Sequence, residues 1–162
     1  MNRELGRTVL ITGATDGLGK LVAERLAASA AVVIVHGRNG EKGRNTIHAI
    51  QRNTGSPGVE FRRADFASLD EIRQLAREIT EAHVRLDLLI NNAGIGFGAP
   101  GEGRATSRDR HELRFAINYL APFLLTHLLL PTIRRSAPAR IVNVASVGQA
   151  PIDFEDVMLT RH

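Results

Sequence analysis

Short apolar runs recur along the chain, spaced widely enough for a helix between each pair. The first is Thr8-Val9-Leu10-Ile11, the second Ala31-Val32-Val33-Ile34-Val35, bounded by Gly37. Val59-Glu60-Phe61-Arg62 is a weaker third, Leu86-Asp87-Leu88-Leu89-Ile90 the fourth, and Arg140-Ile141-Val142-Asn143-Val144-Ala145 the fifth. Continuous runs of this length, rich in β-branched residues, predict strands buried on both faces. Between them the apolar positions change to helical spacing. Lys20 to Ala30 is rich in alanine and leucine, and Glu41 to Asn53 gathers Ile47, Ala49 and Ile50 on one side. Ser68-Leu69-Asp70-Glu71 predicts a capping box, in which Ser68 accepts a helix N–H and Glu71 reaches back. The helix behind it carries Ile72, Leu75, Ala76 and Ile79 on one face. A long helix is expected from about Ser107 to Arg134, bent at Pro122. Asn53 to Gly58 and Pro100-Gly101-Glu102-Gly103 read as turns or loops, and Pro151 to His162 shows no clear element. Strands alternating with helices predict an α/β fold, a doubly wound parallel sheet with right-handed crossovers. No repeat or linker divides it, so residues 1–162 are read as one domain.

Composition narrows the picture by exclusion. At 162 residues, 43% hydrophobic and 23% charged, the chain can bury a real core. The longest apolar-rich stretch, Phe115 to Pro131, is interrupted by Asn118, Thr126 and His127, so no membrane span of about 18 residues is expected. Met1-Asn2-Arg3-Glu4 has no signal-peptide core. The lack of cysteine excludes disulfides and thiolate-bound metals, and a cytoplasmic location is compatible with it. The formal charge is +4 and the basic residues are nearly all arginine, Lys20 and Lys42 being the lysines. The arginines are dispersed, Tyr119 is the lone tyrosine, and tryptophan is absent. No nucleic-acid partner is therefore expected. His36, His48, His83, His111, His127 and His162 have no metal-ligand spacing and read as surface or core residues. Asp153, Glu155 and Asp156 follow Ser146, but no nucleophile elbow or accompanying histidine supports a hydrolase.

Candidate chemistry concentrates at the ends of the predicted strands. Thr12-Gly13-Ala14-Thr15-Asp16-Gly17-Leu18-Gly19 joins the first strand to the first helix. Such a turn lets the backbone approach a phosphate, and the helix start offers it N–H groups and the positive end of a dipole. At the end of the second strand stands Gly37-Arg38, where an acidic residue would bind ribose hydroxyls. Arg38 can instead pair with a 2′-phosphate, or be a solvated arginine in a turn. Asp65 could accept a hydrogen bond from an adenine amino group with Phe66 over the ring, or serve its own turn. Asn91-Asn92-Ala93-Gly94 could hold a ligand or a neighbouring strand, or be a turn alone.

Taken together, Thr12-Gly13-x-x-x-Gly17-x-Gly19, Asp65, Asn91-Asn92-Ala93-Gly94, Asn118 within Ile117 to Phe123, and Ser146 after Ile141-Val142-Asn143-Val144-Ala145 resemble the short-chain dehydrogenase/reductase family. Ser146 to Phe154 is similar to its retinol-dehydrogenase-like, NADP-preferring members. The resemblance implies a Rossmann-type sheet of which strands 1–5 are present, in the order 3-2-1-4-5. It implies NADP, rather than NAD, held by Gly13, Thr15, Asp16, Gly17, Leu18 and Gly19 at the pyrophosphate turn. Arg38 and Asn39 would lie at the 2′-phosphate, Asp65 and Phe66 at the adenine, and Asn91, Ala93 and Gly94 along the ribose and central strand. Asn118 would kink the long helix and hold a relay water, and Ser146 would bond the substrate oxygen. The implied reaction is hydride transfer between a nicotinamide and a carbonyl or alcohol, with a small-molecule substrate and a homo-oligomeric complete protein. Two departures stand out. Asp16 occupies a place that is basic in many NADP-binding members. The family's Tyr-x-x-x-Lys motif is absent: no tyrosine follows Ser146 and no lysine follows Lys42. The chain is therefore expected to be a cofactor-binding portion, inactive alone and with Ile141 to Val144 as an open edge; the alternative is an inactive dinucleotide-binding module.

Overall fold

The computed structural model describes residues 6–30, 32–96, 103–146 and 151–161. Met1 to Glu4, Ala31, Pro100 to Glu102, Val147 to Ala150 and His162, all named above, lie outside the described residues. Five parallel strands form one sheet in the order β3-β2-β1-β4-β5, as expected. They are β1 (Thr8–Ile11), β2 (Val32–Gly37), β3 (Val59–Arg63), β4 (Leu88–Asn91) and β5 (Arg140–Asn143). Successive strand residues point to opposite faces, and this alternation divides the core in two. Leu10, Ile34 and Leu89 pack with α3 (Leu69–Ala82) and α5 (Ala121–Arg135). Val9, Ile11, Val33, Val35 and Ile90 pack with α1 (Gly17–Ala27) and α2 (Gly40–Thr54).

Several boundaries move for identifiable reasons. α1 begins at Gly17, not Lys20, because Asp16 caps it by accepting the Gly17 N–H at 2.8 Å. β2 runs beyond its apolar stretch because His36 and Gly37 stay in register with Arg62 and Arg63 of β3. β4 begins at Leu88, not Leu86. The Leu86 N–H donates to Ser136 Oγ at 2.8 Å, and buried Asp87 accepts the Thr8 N–H at 2.9 Å, tying the strand's entry to β1. β5 ends at Asn143, although the Val144 N–H still donates to Asn91 O at 2.9 Å.

Only half of the expected capping box forms. Ser68 Oγ accepts the Glu71 N–H at 3.4 Å, but Glu71 reaches the Asp65 N–H at 2.9 Å instead. The long helix begins at Leu113 rather than Ser107. Residues 106–112 turn back on themselves through a Thr106–Glu112 bridge and a Ser107 N–H to His111 O bond, and Glu112 then caps the helix through the Phe115 N–H. The helix passes from α4 (Leu113–Phe115) through a π-helical turn, Ala116–Leu120, into α5. Pro122, expected to bend it, lies in the first turn of α5 just after the wider turn. By length and composition Leu113–Arg135 could cross a membrane, which corrects the expectation drawn from its polar interruptions. Its buried Leu125, Leu129 and Ile133 pack in the core with α3, so here it is a core helix.

Candidate functional site

A cleft of about 390 Å³ opens at the C-terminal ends of β1, β2 and β4, floored by the glycine turn. Gly13 has φ +63°, and a Cβ there would stand 2.7 Å from Ala93 Cα. A side chain at Gly19 would meet Gly13 O and Asn92 Nδ2, each at 2.5 Å. These approaches leave no room for alanine. At Gly17, by contrast, nothing lies within 4 Å of where a Cβ would be, so the helix start faces open space. The first turn of α1 leaves N–H groups without intrahelical partners, which is what an anion needs.

Two polar hubs hold this floor. Thr12 Oγ1 accepts the N–H groups of Asn92 at 2.9 Å and Ala93 at 3.0 Å, while Asn92 Nδ2 donates to Thr12 O at 2.9 Å and Gly13 O at 3.2 Å. His36, only 3% exposed, accepts the Gly13 N–H on Nδ1 at 3.3 Å and meets Ala64 O with Nε2 at 3.1 Å. Its ring stacks on Phe66 with centroids 4.3 Å apart. Burial pushes its pKa down to about 4, against smaller upward effects of the Ala64 hydrogen bond and the Asp65 charge. None of Thr12, Asn92 and His36 is singled out by sequence pattern alone. Thr12 and Asn92 sit inside the Thr12–Gly19 and Asn91–Gly94 motifs, whereas His36 carries no local signal.

Of the expected cofactor residues, Gly13, Thr15, Asp16, Gly17, Leu18 and Gly19 line this cleft, and so do Arg38, Asp65, Phe66, Ala93 and Gly94. Asn39 lines the neighbouring hollow and caps α2 through the Lys42 N–H. Arg38 is exposed and makes no ion pair among the described residues. Asp16 is paired with Lys42 at 2.5 Å, and that hydrogen bond is the main reason its pKa lies below the usual carboxylate value. Asp65 serves its own turn, accepting the Ala67 N–H at 3.0 Å, and its other oxygen lies 3.4 Å from Arg108. Phe66 spends a face on His36.

Asn91 is elsewhere. It is the last residue of β4, and its side chain lines a second cleft of about 450 Å³ between α5 and β5. There Nδ2 donates to Asn143 Oδ1 at 2.8 Å and Thr126 Oγ1 at 3.0 Å, so the amide braces β4 against β5 and α5. Its neighbour Asn92 is the amide that reaches the glycine turn. Asn118 lies in the π-helical turn and lines the second cleft, but its amide is closed on Ile95: Oδ1 accepts the N–H at 2.9 Å and Nδ2 donates to the carbonyl at 3.0 Å. Ser146 is exposed just beyond Ala145, which lines the same cleft. Ala93 lines both clefts. Among the described residues no three metal-ligating side chains come together.

A sequence profile described as short chain dehydrogenase matches residues 7–153. Retinol dehydrogenase 13 of Mus musculus is 41% identical over 154 residues, which are 94% of this chain and 45% of that protein. The chain thus spans about half the length of the curated relatives it matches. Among solved structures, the Pseudomonas aeruginosa RhlG/NADP active-site complex is 33% identical with a TM-score of 0.76, covering 88% of this chain and 55% of that one. A metagenomic short-chain oxidoreductase in complex with NADP is 30% identical with a TM-score of 0.77, covering 92% and 66%.

Proposed function

The chain belongs to the short-chain dehydrogenase/reductase family of oxidoreductases, and from that premise we propose that it carries the cofactor-binding part of an NADP-dependent enzyme acting on a small carbonyl or alcohol. The observation that carries the NADP preference is Arg38, exposed on the rim of the cleft that the glycine turn floors, with no acidic partner among the described residues. A planar guanidinium there suits a 2′-phosphate. Asp16 does not overturn this reading, because Lys42 neutralises it from α2. When bound, the nicotinamide supplies or accepts a hydride. The chain's own part is to seat the pyrophosphate at the start of α1 through Gly13, Gly17, Leu18 and Gly19, with Thr15 beside them. Asp65, Phe66, Ala93 and Gly94 bound the rest of the cleft, Asn39 lies just outside it, and Asn91 braces the strand behind it. Ser146 is proposed to bond the substrate oxygen. For Asn118 we propose chiefly the fastening of the kinked helix to Ile95, since its amide is engaged there at both ends.

A general acid is what these residues do not supply. Tyr119 is the single tyrosine, 57% exposed and stacked with Phe115 and Phe123, and no lysine stands near it in the motif the family uses. The second reading is a dinucleotide-binding module without turnover. Fluorescence titration with NADPH and NADH tests the preference. The wild-type chain is expected to bind NADPH more tightly, and Arg38→Ala to lose roughly tenfold or more of that preference. An unchanged preference would remove the 2′-phosphate role.

A further inference from the structure

We propose that His36 is a positioning residue of the cofactor cleft: as the Nε2–H tautomer it clasps the glycine turn to the loop after β3, setting the two sides of the nucleotide site at a fixed distance. The inference rests on the proposed dinucleotide site and adds to it the device that holds it open in one shape. The geometry leaves one protonation state. Gly13 N–H is a donor, so the Nδ1 it meets at 3.3 Å must be the acceptor; Ala64 O is an acceptor, so the Nε2 at 3.1 Å must carry the hydrogen. A neutral imidazole with its hydrogen on Nε2 satisfies both, and an imidazolium would point a second N–H at the Gly13 N–H. The backbone of the same residue is engaged too, His36 O accepting the Ala14 N–H at 2.9 Å. One side chain at the end of β2 therefore touches the turn after β1, the loop after β3 and, through the Phe66 stack, the residue next to Asp65.

The charged groups around the cleft come from each of these elements. Asp65 stands in the loop after β3 and favours the imidazolium. Asp16, in the glycine turn, is neutralised by Lys42, and Arg62, opposite His36 on β3, is paired with Glu60. Arg38 stands at the end of β2. None of them is within the ring's own hydrogen-bonding shell, and burial keeps the ring neutral.

The test uses the 162-residue chain, NADP⁺ as ligand and titration calorimetry, with circular dichroism to establish that each variant folds. His36→Phe keeps a ring to stack on Phe66 but leaves Gly13 N–H and Ala64 O unpaired. His36→Asn keeps an acceptor where Nδ1 stood. NADP⁺ affinity is expected to fall roughly tenfold in His36→Phe and to recover partly in His36→Asn. Long-range ¹H–¹⁵N spectra of the wild type at neutral pH should show Nε2 protonated and Nδ1 bare, a signature independent of how well any variant folds. An Nδ1–H tautomer, or folded His36→Phe that binds within twofold of wild type, would each overturn the proposal. Wild-type protein that binds no NADP⁺ would overturn the dinucleotide reading, and this inference with it.

Discussion

β3 and β5 are both edge strands of one parallel sheet, and they meet water in different ways. β3 places charges on its half-buried and exposed positions, with Glu60 paired to Arg62 and Arg63 paired to Glu71 of α3. Its one aromatic, Phe61, is covered by α2 so closely that a Cβ at Gly43 would lie 2.1 Å from the ring. β5 is exposed along its whole length, and Ile141, Val142 and Val144 are 36%, 43% and 46% exposed. Charged edges resist pairing with another chain, and flat apolar ones invite it. The cleft floored by the glycine turn lies away from β5, and the second cleft lies between α5 and β5. The two clefts thus stand on regions with unequal cover among the described residues.

Equivalent substitutions in the two halves sharpen this contrast. Ile34→Ala, in the fully buried centre of β2, should lower unfolding free energy by about 2–5 kcal/mol, seen as a lower urea midpoint with an unchanged slope. Next comes pH. His36 titrates near 6.5 when unfolded and near 4 in the fold, so the unfolded chain takes up the proton first as pH falls. Its contribution is whole above pH 6.5 and drains away toward pH 4, by up to about 3 kcal/mol. His36→Asn should flatten that part of the stability-versus-pH curve; a curve of the same steepness would show that other groups govern it. Ile141→Ala in β5 should cost under about 1 kcal/mol, and a loss as large as that of Ile34→Ala would erase the distinction between the halves. The smallest effect on stability is expected from Val142→Lys, within about 0.5 kcal/mol, yet this change should reduce concentration-dependent light scattering. Unaltered scattering would mean that the β5 edge is not a sticky one.

The elements legible from sequence were those whose signal is local. Apolar runs gave the strands, because a parallel strand is buried on both faces, and Ile72, Leu75, Ala76 and Ile79 announced α3 by spacing alone. The start of the long helix was not legible. Ser107 to His111 is polar enough for a first helical turn, yet a backbone bridge between Thr106 and Glu112 folds it back. In the site, the glycine turn was readable because its geometry excludes side chains. Which of the adjacent amides served it was not: Asn91 and Asn92 differ by one position, and on a strand one position is the other face. By sequence His36 is one more surface or core histidine, because its two ring partners lie 23 and 28 residues away, a relation no local pattern carries.

Phe115, Tyr119, Phe123 and His127 stack successively along one side of the helix, with centroid separations of 5.3, 6.2 and 6.3 Å. Since the chain has one tyrosine and no tryptophan, its near-ultraviolet emission and circular dichroism come chiefly from a single phenol in that column. The phenol lines the second cleft and not the one floored by the glycine turn. A reduced nicotinamide has its own emission. The phenol is thus a label for the second cleft without any added dye, and on the function proposed above a reduced nicotinamide in the first cleft would be followed in the same cuvette.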